Sequence, residues 1–333
     1  MREKQVSIRG NLVRDLMKDV METSLRQPIQ TGEFRKSPKE PAWKCPAGYE
    51  YELIEAPDFM MEYLKPEGVD TKRVILQLHG GGYIGPMKNI YRRFAVQYSK
   101  LSFGGDVLTL DYRVAPEFPY PAALEDAVYG YRWLLEEKGY QPDQITVAGD
   151  SAGGGLALAL CLYLRDRGIP MPGGVIAMSA WTDLTCSGES YESCYTIDPL
   201  FGNSKDNMLY DSSYIGEGDP KDPYMSPVFG EYHDFPPVLM QVGTYEVLLD
   251  DTRRVAGKLR EAGGKLRLSE YDGMFHVFQM GLHLFPESKE AWDEVGQFLQ
   301  RIYNIERRPE GTPVKRVRKK HRRNPEKRNT DKR

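Results

Sequence analysis

The stretch Gly149-Asp150-Ser151-Ala152-Gly153-Gly154 is preceded by Ile145-Thr146-Val147-Ala148 and followed by Leu156-Ala157-Leu158-Ala159-Leu160-Cys161. A short β-branched run, a group of small residues and then a helical apolar run describe a strand turning sharply into a helix, with Ser151 at the tip. This is the form of a nucleophile elbow. Gly149 and Gly153, two positions either side of the serine, suit a turn too tight for side chains there. The helix N-terminus beneath Ser151 would offer unpaired N–H groups and a positive dipole end to an oxyanion. A GxSxG pattern alone also describes a glycine-rich helix start, so the reading depends on a base, an acid and an oxyanion loop occurring elsewhere.

His79-Gly80-Gly81-Gly82-Tyr83 directly follows the apolar run Val74 to Leu78. Successive glycines at the end of a buried strand leave N–H groups free to converge on one point, as an oxyanion hole requires. His79, with Gly80, is read as holding the shape of that loop. No P-loop lysine follows, so phosphate binding has little support. The other histidines are His233, His276, His283 and His321. A base in this arrangement comes last, after the acid and beyond the final core strand. His276, reached through the Asp272-Gly273 turn, fits that place; His283 reads as structural and His321 lies in a basic tail. The acid is expected just past the strand Val238 to Val242. Glu246 comes first in that loop, and Asp250, a helical turn later, is the alternative.

Around these segments the chain alternates. Strands are expected at Tyr49 to Ala56, Phe59 to Leu64, Val74 to Leu78, Asp106 to Leu110, Ile145 to Ala148, Val175 to Met178, Val238 to Val242 and Lys265 to Tyr271. Helices are expected at Ala122 to Lys138, Leu248 to Ala262 and Ser288 to Tyr303. That order predicts an α/β fold with a mainly parallel sheet covered on both faces. Ahead of it, Asn11 to Leu25 places Leu12, Leu16, Met17, Val20, Met21 and Leu25 at helical spacing, followed by a proline-rich connector over 31–48. Residues 184–236 are too long for an ordinary βα loop and carry aromatic and apolar residues, which reads as a lid packed on the N-terminal helix. The expected organisation is an N-terminal helix and connector over 1–48, an α/β domain over 49–306 with the insertion inside it, and a tail over 307–333.

The combined order of HGGG loop, GDSAGG elbow, acid and histidine resembles the hormone-sensitive-lipase-like family of α/β-hydrolases. Asp111-Tyr112-Arg113-Val114-Ala115-Pro116-Glu117, Ser179-Ala180-Trp181-Thr182-Asp183-Leu184-Thr185 and the Gly273-x-x-His276-x-Phe278 ending carry the same resemblance. It covers roughly residues 70–300. It implies an α/β-hydrolase fold with a small helical cap, and hydrolysis of small, soluble, short- to medium-chain carboxylic esters such as acetyl esters, without metal or organic cofactor. In that scheme Ser151 is the nucleophile, His276 the base and Glu246 the orienting acid, while the N–H groups of Gly81, Gly82 and Ala152 form the oxyanion hole. The family commonly has DPLRD where this chain has Glu246-Val247-Leu248-Leu249-Asp250, so the acid here is a glutamate. Tyr83, Met17, Met21, Tyr195, Phe201 and Met208 are candidate pocket walls, and a homodimer through an edge strand is implied. The alternatives are a ligand-binding receptor on the same scaffold, as in the plant gibberellin receptors, which lack the histidine, and amidase or peptidase action by the same triad.

Composition bounds the partners. Of 333 residues 40% are hydrophobic and 28% charged, as in ordinary globular proteins. No run of eighteen apolar residues and no apolar leader occur, so a cytoplasmic protein without a membrane span is expected. Cys45, Cys161, Cys186 and Cys194 lack metal spacing; free thiols are favoured, with a Cys186 to Cys194 bridge as the other reading. Net charge is −3, yet residues 307–333 hold 13 Lys or Arg against 3 Asp or Glu. Such a tail reads as unfolded, either simply solvated or in contact with nucleic acid or an anionic surface.

Overall fold

The computed structural model describes residues 6–20 and 40–305. Met21, Leu25, the first part of the connector and the basic tail lie outside the described residues. Within them, eight strands form one sheet in the order β1-β2-β4-β3-β5-β6-β7-β8. Along the chain these are α1 (Ile8–Val20), β1 (Tyr49–Glu55), β2 (Met60–Pro66), β3 (Val74–Leu78), α2 (Asn89–Leu101), β4 (Asp106–Asp111), α3 (Ala122–Glu136), β5 (Ile145–Asp150), α4 (Ala152–Asp166), β6 (Gly174–Met178), β7 (Val238–Gly243), α5 (Leu249–Glu261), β8 (Leu266–Tyr271) and α6 (Pro286–Ile302). β1 and β2 make an antiparallel hairpin, β2 joins β4 antiparallel, and every other pairing is parallel. The mainly parallel α/β architecture read from the sequence is the one found.

Period-two side-chain alternation sends residues of the five central strands, which are buried almost throughout, to two different cores. Leu76, Leu108, Val147, Val175 and Met240 face a core built with α3, α4 and α5. Their neighbours Ile75, Val107, Ala148, Ile176 and Leu239 face a second core built with α2 and α6. Trp292 anchors that second layer, edge-on to Phe94 at 4.8 Å and to Tyr98 at 5.1 Å. α2 was not anticipated from the sequence. Its buried face is aromatic and small, comprising Tyr91, Phe94, Ala95 and Tyr98, and the intervening arginines interrupt the aliphatic signal on which periodicity depends.

Two expectations about the periphery need correction. Leu12 and Leu16 of α1 are 64% and 60% exposed, and do not form its buried face. Met17 of the expected stripe does pack inward, together with Val13, on a cluster of Met274, Phe275, Phe278 and Phe285. Gly10 sits so near Glu287 that a Cβ there would lie 2.8 Å from its carboxylate. The same carboxylate accepts the Ser7 N–H and O–H at 2.6 and 2.9 Å, which sets the docked face of the helix. His283 is exposed rather than a satisfied core residue. All four cysteines are free.

Residues 184–236 hold one helical turn, Ser190–Ser193, and a short 3-10 turn, Pro227–Phe229. Tyr191, Met208, Leu209, Tyr214 and Met225 bury their side chains in the larger core. Leu200 joins Met17 on the cluster beneath α1. Across the sheet, the C-terminal ends of β3, β5, β7 and β8 open toward this segment, so the loops that leave them meet beneath it.

The elbow tolerates no side chain at its flanks. A Cβ on Gly153 would overlap the carbonyls of Leu78 and His79, whereas one on Gly257, inside α5, would meet nothing within 4 Å. Gly153→Ala should therefore lose at least about 2 kcal/mol of stability by overpacking, while Gly257→Ala should gain up to about 1 kcal/mol of helix propensity. Urea unfolding of the two variants beside wild type checks both signs; an unchanged midpoint for Gly153→Ala would contradict this packing.

Candidate active site

Ser151 links the last residue of β5 to the first of α4 with φ 53° and ψ −124°, a backbone form that neither element can hold by itself. Neighbouring chain keeps it there. The Ser151 N–H donates to Met178 O at 2.9 Å, and Ser151 O accepts from the N–H groups of Trp181 at 2.9 Å and Gly155 at 3.0 Å. β6 and the segment after it thus fix the elbow from the side.

His276 reaches the serine from a separate loop. The chain leaves β8, turns at Gly273 with φ 63°, and is anchored by the buried Met274 and Phe278 on either side of the histidine. Its Nε2 lies 2.8 Å from Ser151 Oγ, and its Nδ1 lies 3.0 Å from Glu246 Oε2. With a carboxylate on one side and a hydroxyl on the other, the consistent tautomer carries the proton on Nδ1 and leaves Nε2 to accept.

Glu246 sits in the loop after β7 with no exposed surface. Its second oxygen accepts the Gly243 N–H at 2.6 Å and the Ser179 O–H at 2.8 Å. Ser179 Oγ in turn accepts the Val277 N–H at 3.1 Å, tying the acid to the backbone beside His276. Asp250, the alternative acid, points elsewhere. It falls in the first turn of α5, where its carboxylate accepts the Ser190 N–H at 2.9 Å, while the adjacent Asp251 accepts those of Thr182 and Asp183.

The glycine loop passes over the elbow with Gly81 at φ 118° and Gly82 at φ 64°. Among the described backbone groups none takes up the N–H of Gly81, Gly82 or Ala152. His79 lies buried beneath, stacked on Tyr112 at 4.1 Å with Nδ1 2.7 Å from Gly80 O. Its Nε2 has no hydrogen-bond partner among the described residues, and burial lowers its pKa from the ordinary value.

A cavity of about 250 Å³ opens on Ser151 and His276, and Met17, Phe201 and Met208 line it as read from the sequence. Phe201 stands edge-on to the His276 ring at 4.9 Å. Met208 lies over the glycine loop, 2.7 Å from where a Cβ on Gly82 would be. Tyr83 and Tyr195 are not on the cavity wall. Tyr83 has φ 58°, which turns its ring inward to stack on Tyr214 at 3.8 Å, and Tyr195 lies beside Lys205 instead. Met21 lies outside the described residues. Ile90, Leu200, Leu209 and Met280 complete the apolar lining and were not singled out from the sequence.

Two buried carboxyls border the site and were also not singled out. Burial pushes Asp150 up to about 7, although the Gly80 N–H and the Tyr91 hydroxyl at 3.3 Å oppose the shift. Burial likewise pushes Asp198 up to about 6. Asp198 accepts the N–H groups of Leu200 and Phe201 at 2.8 and 3.0 Å through one oxygen and that of Val247 at 2.8 Å through the other. Ser179 belongs to the Ser179-Ala180-Trp181 segment already noted, but nothing in its spacing marks it as a partner of Glu246.

No helix among the described residues is long and apolar enough to cross a membrane. The family model of the alpha/beta hydrolase fold matches residues 75–280. An acetyl-hydrolase of Streptomyces hygroscopicus is 38% identical over 239 residues, covering 72% of this chain and 79% of its own. An esterase of Acinetobacter venetianus is 35% identical, covering 71% and 77%. Among solved structures, an esterase from the bacterial hormone-sensitive lipase family superposes with a TM-score of 0.78 at 32% identity, covering 90% of this chain and 99% of that one. The elbow, the glycine loop and the histidine all fall inside the matched region, and the chain belongs to the hormone-sensitive-lipase-like carboxylesterases of the α/β-hydrolase fold.

Proposed function

We propose that this protein hydrolyses small carboxylic esters of short to medium acyl length, acetyl esters among them, through an acyl-enzyme on Ser151. The observation that carries the proposal is the continuous chain from Ser151 Oγ to His276 Nε2 at 2.8 Å and from Nδ1 to Glu246 at 3.0 Å. Ser151 attacks the ester carbonyl as His276 takes its proton. Glu246 holds the Nδ1 proton in place and stabilises the imidazolium that forms. Negative charge on the carbonyl oxygen is met by the N–H groups of Gly81, Gly82 and Ala152. The imidazolium then protonates the departing alcohol, and water, activated by the same ring, releases the acid.

The apolar cavity suits an acyl chain of a few carbons. An acetyl-hydrolase and an esterase among the relatives support the substrate class, and the esterase EstE5, soaked with 4-nitrophenyl butyrate, superposes with a TM-score of 0.78. We read α1 and residues 184–236 as a cap over the site, since both supply its walls. His79 and Gly80 support the glycine loop from below. The outer edge of β8 is the surface proposed for a homodimer. The basic tail is proposed to meet anionic surfaces or nucleic acid. Four free thiols accord with a cytoplasmic setting.

Ser151→Ala should lower turnover of 4-nitrophenyl acetate and butyrate by about four orders of magnitude or more; unchanged turnover would sink the proposal. Steady-state kinetics should also separate the two acids. Glu246→Gln should lose about 10²- to 10⁴-fold in kcat, whereas Asp250→Asn should keep kcat near wild type with a lower melting temperature.

Burial holds the Asp150 carboxyl up to about 7, so its charge beside the site changes as pH crosses neutrality. A kcat/KM inflection that belongs to Asp150 should be absent from the pH profile of Asp150→Asn. A profile that coincides with wild type across that range contradicts a contribution from this carboxyl.

A further inference from the structure

The glycine loop ends on a residue whose backbone would suit glycine and whose side chain is large. Gly81, Gly82 and Tyr83 follow one another at φ 118°, 64° and 58°. For a tyrosine that backbone is uncommon and carries a conformational cost, so groups outside the loop have to hold it. The Tyr83 carbonyl accepts the Ala115 N–H at 2.8 Å, and the buried ring meets three others. Trp181 and Tyr112 lie oblique to it at 6.0 and 6.5 Å, whereas Tyr214 stacks on it at 3.8 Å with the ring planes 6° apart.

Tyr214 comes from the insertion over 184–236 and is itself fixed from behind. Its carbonyl accepts the Tyr120 N–H at 2.8 Å, and the Tyr120 ring stands edge-on to it at 6.0 Å. The Tyr214 side chain is fully buried, yet its hydroxyl has no hydrogen-bond partner among the described residues. A buried hydroxyl without a partner costs stability, so the fold gains from the ring of Tyr214 and not from its polar end. On the other side, the Tyr83 hydroxyl lies 3.3 Å from where a Cβ on Gly155 would be, against the first turn of α4. That helix opens with Ala152. Tyr83 thus spans from the loop that offers the Gly81 and Gly82 N–H groups to the helix that offers that of Ala152.

Resting on the ester-hydrolase reading above, we propose that Tyr214 is a positioning residue for the oxyanion hole: its ring, stacked on Tyr83, holds the Gly81 and Gly82 N–H groups in register with Ser151. The insertion then does more than wall the cavity. It sets the geometry of two donors through one aromatic pair, and a misplacement of about 1 Å can cost about 10²-fold in rate. The effect falls on the tetrahedral state, where the carbonyl oxygen carries charge, and hardly on the neutral ester.

The test compares Tyr214→Phe and Tyr214→Leu with wild type on 4-nitrophenyl butyrate. Tyr214→Phe keeps the ring and drops only the unpartnered hydroxyl, so kcat should stay within about twofold without loss of melting temperature. Tyr214→Leu removes the stack and should lower kcat about tenfold or more with KM within about threefold. Two ketones separate oxyanion positioning from general packing. With 1,1,1-trifluoro-2-heptanone, Ser151 Oγ bonds to the carbonyl carbon, the serine proton passes to His276 and the carbonyl oxygen becomes an oxyanion. 2-Heptanone stays a neutral carbonyl. In Tyr214→Leu the inhibition constant of the first should rise about tenfold or more and that of the second should stay within about twofold. Should Tyr214→Leu fail to fold, Tyr214→Met, which fills a similar volume without a ring, carries the same expectations. Equal losses in Tyr214→Phe and Tyr214→Leu, a parallel rise of both inhibition constants, or a folded Leu or Met variant that matches wild type throughout overturns the inference. Loss of the parent reading is separately visible, because it would leave Ser151→Ala active on the same ester.

Discussion

A carboxylate cut off from water is the constraint around which the site is built. Glu246 has no exposed surface, so its charge is tolerable only if protein groups replace the lost hydration. Three separate pieces of chain supply that replacement: Gly243 at the end of β7, Ser179 after β6 and His276 after β8. Because each is a strand end in the same sheet, the parallel register that aligns those ends also sets the imidazole angle. Ser179 has a double part, since it donates to the acid and accepts from Val277 beside the histidine. The chain thus orients the imidazole through a closed ring of hydrogen bonds rather than through one contact.

Much of this was legible in the sequence where glycine punctuates the pattern. Gly149 and Gly153 mark the turn at Ser151, and Gly273 marks the approach to His276, because backbone with positive φ or close packing leaves a compositional trace. The two acids near β7 were less legible. The helix expected from Leu248 starts at Leu249, but its pattern does not announce that Asp250 then turns toward Ser190. Tyr83 misled for a related reason: a non-glycine residue at φ 58° directs its ring opposite to what its place in the loop suggests. α2 escaped because aromatic residues separated by arginines give a weak helical period, and the α1 stripe of Leu12 and Leu16 because spacing identifies an apolar face without saying whether anything covers it.

Two buried carboxyls set the electrostatic surroundings of the site. Deep in the site, Asp150 and Asp198 are raised by burial, to about 7 and about 6, so their charges respond to pH near neutrality. Around the nucleophile the lining is largely apolar, with Met17, Ile90, Leu200, Phe201, Met208 and Met280 among its residues.

Asp198 joins two parts that a designer would wish to treat as independent. One oxygen holds the turn bearing Leu200 and Phe201, and the other holds Val247, next to Glu246. Side-chain replacement at Phe201 leaves that tether intact and changes the cavity wall beside the His276 ring. Adding or deleting a residue in the 198–202 turn instead pulls on the main chain next to Glu246. Loop grafting in this protein therefore perturbs the alignment of Glu246, His276 and Ser151, even when every inserted residue stays on the far side of the cavity.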